Sequence, residues 1–370
     1  MKLANDEIVA EVIRSANRDH PADTALREVL KKLRDLPPWV AAEVSQAVFM
    51  YYRWHGWTRD ERNLETKLRL ARTLDGRFCA KPSSIPNSEL RAHAVPAWTA
   101  EEMEVSDEWL RSLQSEPTLW LRTKRGHTAE LLKKLPGARA SELLPEAVIY
   151  QGETDLFRTP EFHAGEFEIQ DIASQAVGLL CDPKPGETWW DACAGEGGKL
   201  LHLSDLMQNK GLIWASDRAE WRLKKLKRRT ARAKAFNYRA ALWNGDVKLP
   251  TKTKFDGVLL DAPCTGLGTW QRNPHARWTT TPQDVLELAE IQKRLLMHVA
   301  ASVKPRGKLI YSVCTLTRRE TEEVANHFSE AQSAFERQPL PGLKNESRPL
   351  ASAAQLLVNK MFVAVWRRKF

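Results

Sequence analysis

Trp189-Trp190-Asp191-Ala192-Cys193-Ala194-Gly195-Glu196-Gly197-Gly198-Lys199 reads as a short apolar strand, Trp189 to Ala194, that runs through a glycine-rich turn into a helix, Leu200 to Met207. Such a turn lets a ligand approach the backbone, and the helix amino terminus beyond it favours a negative group. Two common anion loops do not fit the spacing. A dinucleotide fingerprint needs glycine where Leu200 stands, and a phosphate loop needs glycine at Cys193 and Ser or Thr at Leu200.

The same grammar repeats outward from this stretch. Short apolar runs at 187–194, 211–217, 240–246, 255–263 and 307–315 alternate with longer amphipathic segments, which predicts an α/β fold with a doubly wound, mostly parallel sheet. Between Asp217 and Lys234 the residues Ala219, Leu223, Leu226, Thr230 and Ala233 fall on one helix face, and the opposite face is almost purely basic. The carboxyl end, 356–370, reads as two short strands forming an antiparallel hairpin at the sheet edge. Ahead of this sheet, helical periodicity from Asn5 to about Arg72 and a proline-rich connection at 81–96 predict a helical domain over 1–96. A small α+β unit is expected over 97–165, and the α/β domain over 166–370.

Composition narrows the class of partner. Fifty-six Lys and Arg against 47 Asp and Glu leave a formal charge of +9, so a polyanion is the expected partner rather than a basic surface. A mean hydropathy of −0.47, the lack of an apolar run near the roughly 18–20 residues of a membrane span, and the first 20 residues without a signal-type core predict a cytoplasmic protein that engages no membrane. No obligate protein partner is evident. The five cysteines, Cys79, Cys181, Cys193, Cys264 and Cys314, are odd in number and unequally spaced, which fits neither a disulfide framework nor a zinc site, and no metal is expected. Cys79 and Cys181 read as inert buried residues.

Acids at successive strand ends suggest what binds the turn. Asp217 ends the second strand, where a carboxylate accepts hydrogen bonds from ribose hydroxyls, and Asp246 follows the third, placed to hold an adenine amino group. Together with the turn Cys193 to Lys199 they point to a nucleoside bearing a carboxylate, and S-adenosylmethionine is such a molecule.

The chemistry is carried by two further stretches, Asp261-Ala262-Pro263-Cys264-Thr265-Gly266 and Tyr311-Ser312-Val313-Cys314-Thr315. Each cysteine ends an apolar strand, on the side where open α/β sheets place their ligands. The fifty residues between them hold one loop and one long helix, Pro282 to Val303, a single crossover. The two thiols are therefore expected in one cleft. Carbon 5 of cytosine is a poor nucleophile, so its methylation needs a thiolate added at carbon 6 and, afterwards, a base that removes the carbon 5 proton. Asp261 is placed to meet the ring nitrogen and exocyclic amine.

With these residues in view, the sequence resembles the Nop/Sun family of RNA cytosine-5 methyltransferases. The resemblance rests on Asp191 to Lys199, Asp261 to Gly266, Arg272-Asn-Pro-His-Ala-Arg-Trp278, Tyr311 to Thr315, the lead-in Gly165 to Gln175 and Met361-Phe-Val-Ala, and so covers about residues 165 to 370. It implies Cys314 as the nucleophile, Cys264 as the residue that aids product release, and an S-adenosylmethionine site lined by Cys193, Ala194, Gly195, Glu196, Gly197, Gly198, Lys199, Asp217, Asp246 and Asp261. This sequence departs from the family pattern at Gly195 and Glu196, where Ala-Pro is usual, at Val313 for Thr, and at Gln271 for Arg.

For RNA, Trp270, Arg272 and Trp278 are the expected contacts to a splayed nucleotide. The nine Lys and Arg between Arg222 and Arg239 are either a phosphate track or a solvated helix face. The amino-terminal segments resemble the NusB-like and RNA-binding extensions of the bacterial ribosomal-RNA branch, which implies ribosomal RNA as substrate. Transfer RNA, or a non-catalytic RNA-binding assembly factor on the same fold, stand as alternatives.

Overall fold

The computed structural model describes residues 2–33, 36–340, 357 and 360–370, and it divides into two compact units: Met1–Pro117 with Thr265–Asp284, and Thr118–Cys264 with Val285–Phe370. The chain thus leaves the second unit after Cys264 and returns at Val285. The first unit is helical. Helices Lys2–Ser15, Ala22–Lys32, Pro38–Arg53 and Leu64–Ala80 bury Val9, Val12, Leu26, Val29, Val44, Val48, Tyr51 and Leu68 against one another. This is the period-3.6 pattern of the sequence turned inward. The shorter helices up to Asp107–Ser112 belong to the same unit. The division therefore falls at Pro117, beyond the proline-rich connection where the sequence places a boundary.

The second unit carries two sheets. Strands β1 (Leu119–Thr123), β2 (Ala138–Ala140), β3 (Ala147–Tyr150) and β4 (Phe167–Ile169) form an antiparallel sheet in the order β2-β3-β1-β4. The larger sheet contains β5 (Thr188–Asp191), β6 (Leu212–Asp217), β7 (Tyr238–Leu242), β8 (Phe255–Asp261), β9 (Val303–Val313), β10 (Phe335–Gln338) and β11 (Phe362–Arg368). Its order is β10-β11-β9-β8-β5-β6-β7, parallel except at β11, which is antiparallel to both β9 and β10.

All five runs that the sequence assigns to strands appear. Both faces of this sheet are covered, so its central strands are apolar on successive residues. Trp189, Leu259 and Ile310 enter one core with Leu200, Leu203 and Leu226, while Trp190, Leu260 and Tyr311 enter the other with Leu296, Val299 and Phe328. The edge differs in detail from the expected hairpin. Only Phe362–Arg368 of the carboxyl stretch is a strand among the described residues, and its outer partner is Phe335–Gln338; most of the expected first limb, 356–359, lies outside the described residues.

Candidate active site

Strand order brings the two cysteines together. Because β8 and β9 are parallel neighbours with Asp261 opposite Ser312, the residues just past both strand ends emerge side by side. Cys264 Sγ lies 3.3 Å from Cys314 Sγ. The thiol of Cys264 is pushed well above its ordinary pKa, first by its hydrogen bond with Cys314, then by burial and the nearby charges of Cys314, Glu320 and Asp261. Such a group stays protonated at neutral pH.

A cavity of about 320 Å³ adjoins the pair, within the size range of small-molecule sites. Cys193, Ala194 and Gly195 of the glycine turn, Asp217 at the end of β6, Asn244 and Gly245 after β7, Asp261 at the end of β8, Cys264 after it, and Cys314 after β9 all line it. Ligand sites of doubly wound sheets sit at this carboxyl edge. Gly195 has φ +56° and an added Cβ would meet nothing within 4 Å, so the turn presents bare backbone to open space. Gly197, at φ +87°, begins the helix Gly198–Leu206, and a Cβ there would come within 2.9 Å of Leu226. The two glycines serve different ends: one leaves backbone accessible, the other lets the helix seat on its neighbour.

Three carboxylates set the electrostatics. Asp217 accepts from the Gly195 N–H at 3.0 Å and the Ala219 N–H at 2.8 Å, which ties the turn to β6. Asp261 accepts from Lys199 Nζ at 2.6 Å and Ser312 Oγ at 2.8 Å. Burial works to lower the pKa of Lys199, but the charge and hydrogen bond of Asp261 outweigh it and the net shift is upward. Asp191 is fully buried, with the Leu200 N–H as its backbone donor. Burial, then the charge of Asp261, raises its pKa to about 7, with Lys199 and the Leu200 N–H opposing. Cys193 is likewise held above its ordinary pKa by burial and the charge of Asp191.

Several expected site residues lie elsewhere. The Asp246 side chain is exposed and does not line the cavity; its carbonyl accepts from Trp243 Nε1 at 3.0 Å, and Asn244 and Gly245 line the wall instead. Glu196 turns away to pair with Lys225 at 2.7 Å. Trp270 is fully buried in the helical unit between Trp98 and Trp109, leaving no ring face for a base. Trp278 packs into the helical core and donates from Nε1 to the Tyr52 carbonyl at 2.7 Å. Both tryptophans hold the 265–284 segment in its unit, while Arg272 is exposed. Of the nine basic residues between Arg222 and Arg239, Arg222, Lys224, Lys225, Arg229 and Arg232 pair with Asp217, Glu220, Glu196 and Glu168, so four carboxylates offset part of this face and it keeps an excess of positive charge. Cys181 is buried as expected, whereas Cys79 is exposed. Sequence reasoning missed Ser312, although it stands within the Tyr311–Thr315 motif, and it missed Gln292, whose signal is a polar residue on an apolar helix face.

A parallel five-strand core with an antiparallel outer pair, a glycine turn after its first strand and a cavity at its carboxyl edge define a class I methyltransferase fold. Residues 178–358 match the family model described as 16S rRNA methyltransferase RsmB/F. The sequence is 37% identical over 226 residues to a probable ribosomal RNA small subunit methyltransferase B of Synechocystis, covering 59% of this chain and 50% of that protein. It is 35% identical to the Bacillus subtilis protein of the same name, covering 62% and 52%. The chain thus spans about half the length of the curated relatives it matches. Among solved structures it resembles a methyltransferase homolog protein from Pyrococcus horikoshii, with 27% identity, 71% and 90% coverage and a TM-score of 0.58. The crystal structure of PH0851 matches over 98% of both chains with a TM-score of 0.77 at 24% identity, a likeness of fold.

Proposed function

We propose that the protein transfers a methyl group from S-adenosylmethionine to carbon 5 of a cytosine in ribosomal RNA through a covalent bond to Cys314. The observation that carries this reading is the pair of thiols, 3.3 Å apart, beside the cavity that the glycine turn opens. A thiol past β8 has no task in methylation of a ring or exocyclic nitrogen. The names of the curated relatives favour ribosomal over transfer RNA.

The cavity suits the methyl donor. Gly195 offers open backbone, and Asp217 and Asn244 line the wall with groups able to meet a nucleoside. The bound donor supplies the methyl group. The remaining work belongs to the side chains. Cys314, as thiolate, forms a bond to carbon 6, and the electrons of the ring double bond shift to carbon 5, which takes the methyl group. A base then removes the carbon 5 proton, the double bond re-forms, and the Cys314 thiolate leaves. Cys264 is placed beside that leaving group to assist release. Asp261, fixed by Lys199 and Ser312, meets the pyrimidine nitrogens.

The test is to incubate the protein with S-adenosylmethionine and ribosomal RNA lacking the modification, then to map new 5-methylcytosine at single-nucleotide resolution. One modified position is expected. Cys314→Ala should abolish both product and protein–RNA adduct, and Cys264→Ala should accumulate the adduct. The opposite pattern in the two variants would reverse their roles, and methylation only in transfer RNA would replace the substrate.

A further inference from the structure

The paired register of β8 and β9 ends at Asp261 and Ser312, yet Cys264 and Cys314 sit three and two residues further on, in loops that need another restraint to keep 3.3 Å between the sulfurs. We propose that Gln292, Tyr311 and Glu320 are positioning residues that clamp the Cys264 loop to the Cys314 loop. The geometry stands by itself; its kinetic consequence rests on the methyl-transfer reading above.

Gln292 lies on the helix Pro282–Ala300 and is fully buried beside Val285, Ala289, Leu296 and Val299. Its Nε2 donates to the carbonyl of Pro263, the residue before Cys264, at 2.8 Å and to Glu320 Oε1 at 3.0 Å. Its Oε1 accepts from the Tyr311 hydroxyl at 2.9 Å, and the same hydroxyl lies 2.6 Å from the Glu320 carbonyl. Turning the amide over would set its oxygen against two acceptors, so the orientation is fixed.

Glu320, also fully buried, accepts through Oε2 from Thr317 at 2.8 Å and from Thr315, the neighbour of Cys314, at 3.3 Å. One amide therefore holds the backbone next to one cysteine and, through one carboxylate, the threonine next to the other. An apolar filling of the same volume would serve stability as well or better, since replacing buried polar networks by hydrophobic groups is often neutral. What an apolar filling cannot do is fix direction and distance between two loops.

The test reads thiol proximity without substrate. The full-length protein is equilibrated in reduced and oxidised glutathione, which takes up the two electrons as two thiols become one disulfide, and the Cys264–Cys314 disulfide is quantified by peptide mass spectrometry. Gln292→Leu and Glu320→Ala should each lower the equilibrium disulfide by about tenfold and kcat by about 100-fold, as misplacement of about 1 Å does elsewhere, with KM for RNA and donor nearly unchanged. Glu320→Gln, whose amide re-forms the bonds to Gln292 and the threonines, should recover most of both. If Gln292→Leu folds and retains wild-type disulfide equilibrium and kcat, the clamp is refuted. If Gln292→Leu does not fold, the Glu320→Ala and Glu320→Gln pair decides: equal values in the two refute it, and rescue by Gln upholds it. If the disulfide readout falls as expected but wild-type protein methylates no RNA, the clamp stands and the methyl-transfer reading fails.

Discussion

Arg277 in the helical unit and Asp191 at the end of β5 in the other are both withdrawn completely from water, and the surroundings of the two have little in common. Arg277 is cradled by backbone oxygens. Its guanidinium donates to Ala94 and Leu113 at 3.0 Å and to Arg53 and Trp270 at 3.4 Å, drawing four separate stretches of that unit onto one cation. Asp191 has a far thinner shell: the Leu200 N–H is the backbone donor that bears on it, and Lys199, the cation that opposes its shift, is hydrogen-bonded to Asp261 instead. A buried group solvated by its own backbone is a structural pin. A buried group left thinly solvated just behind a glycine turn that lines a cavity is the departure from local consistency that functional sites carry.

Removing the pin should have the largest effect on stability. Arg277→Leu leaves buried carbonyls without their donor in a dry interior, and the loss should reach about 3–5 kcal/mol, at about 1–3 kcal/mol for each acceptor orphaned. Urea unfolding followed by tryptophan fluorescence measures it. Arg277→Lys should rescue little, because an ammonium offers fewer donors than a planar fork and cannot reach all four carbonyls. A leucine variant as stable as wild type would erase the contrast drawn above.

The site's acid should behave in the opposite way. The folded protein holds the Asp191 proton more tightly than the unfolded chain, with a pKa of about 7 against 3.8, so its contribution to stability falls as pH rises from about 4 to 7. Asp191→Asn has no such titration. The variant should match the wild type below about pH 4 and exceed it above pH 7 by at most about 4 kcal/mol, at 1.4 kcal/mol per pKa unit. Thermal unfolding across that range checks this. Parallel curves for the two proteins would mean that Asp191 is solvated after all.

These charges also mark where the sequence stops being informative. The large sheet and the glycine turn are legible because they rest on period and punctuation: both faces of β5, β8 and β9 are buried, so apolar runs are uninterrupted, and Gly195 and Gly197 stand where positive φ is needed. The meeting of Cys264 and Cys314 is legible because one crossover makes their strands neighbours. Burial of particular polar side chains is not legible in this way. Nothing local distinguishes Arg277 from a solvated arginine, because its partners stand up to 224 residues away in the chain, and Gln292 is marked only by its place on an apolar helix face. The same gap misassigns Trp270 and Trp278. A tryptophan beside an arginine in a loop past a cysteine is an attractive base-stacking platform until the helical unit is seen to enclose the loop.

Trp278 gives the smallest and most discriminating test of that reassignment. Its ring packs in the helical core and its single polar atom donates to the Tyr52 carbonyl at 2.7 Å. Trp278→Phe keeps most of the apolar contact and removes the donor, so it should cost about 1–3 kcal/mol of unfolding free energy, the range for orphaning one buried hydrogen-bond partner. Because the ring is occupied inside its own unit, RNA affinity at fixed salt should stay within about twofold of wild type, whereas loss of a base-stacking contact costs about 1–3 kcal/mol of binding. Unfolding and RNA titration on the same variant therefore separate the two roles, and a loss of affinity without a loss of stability would return Trp278 to the nucleotide.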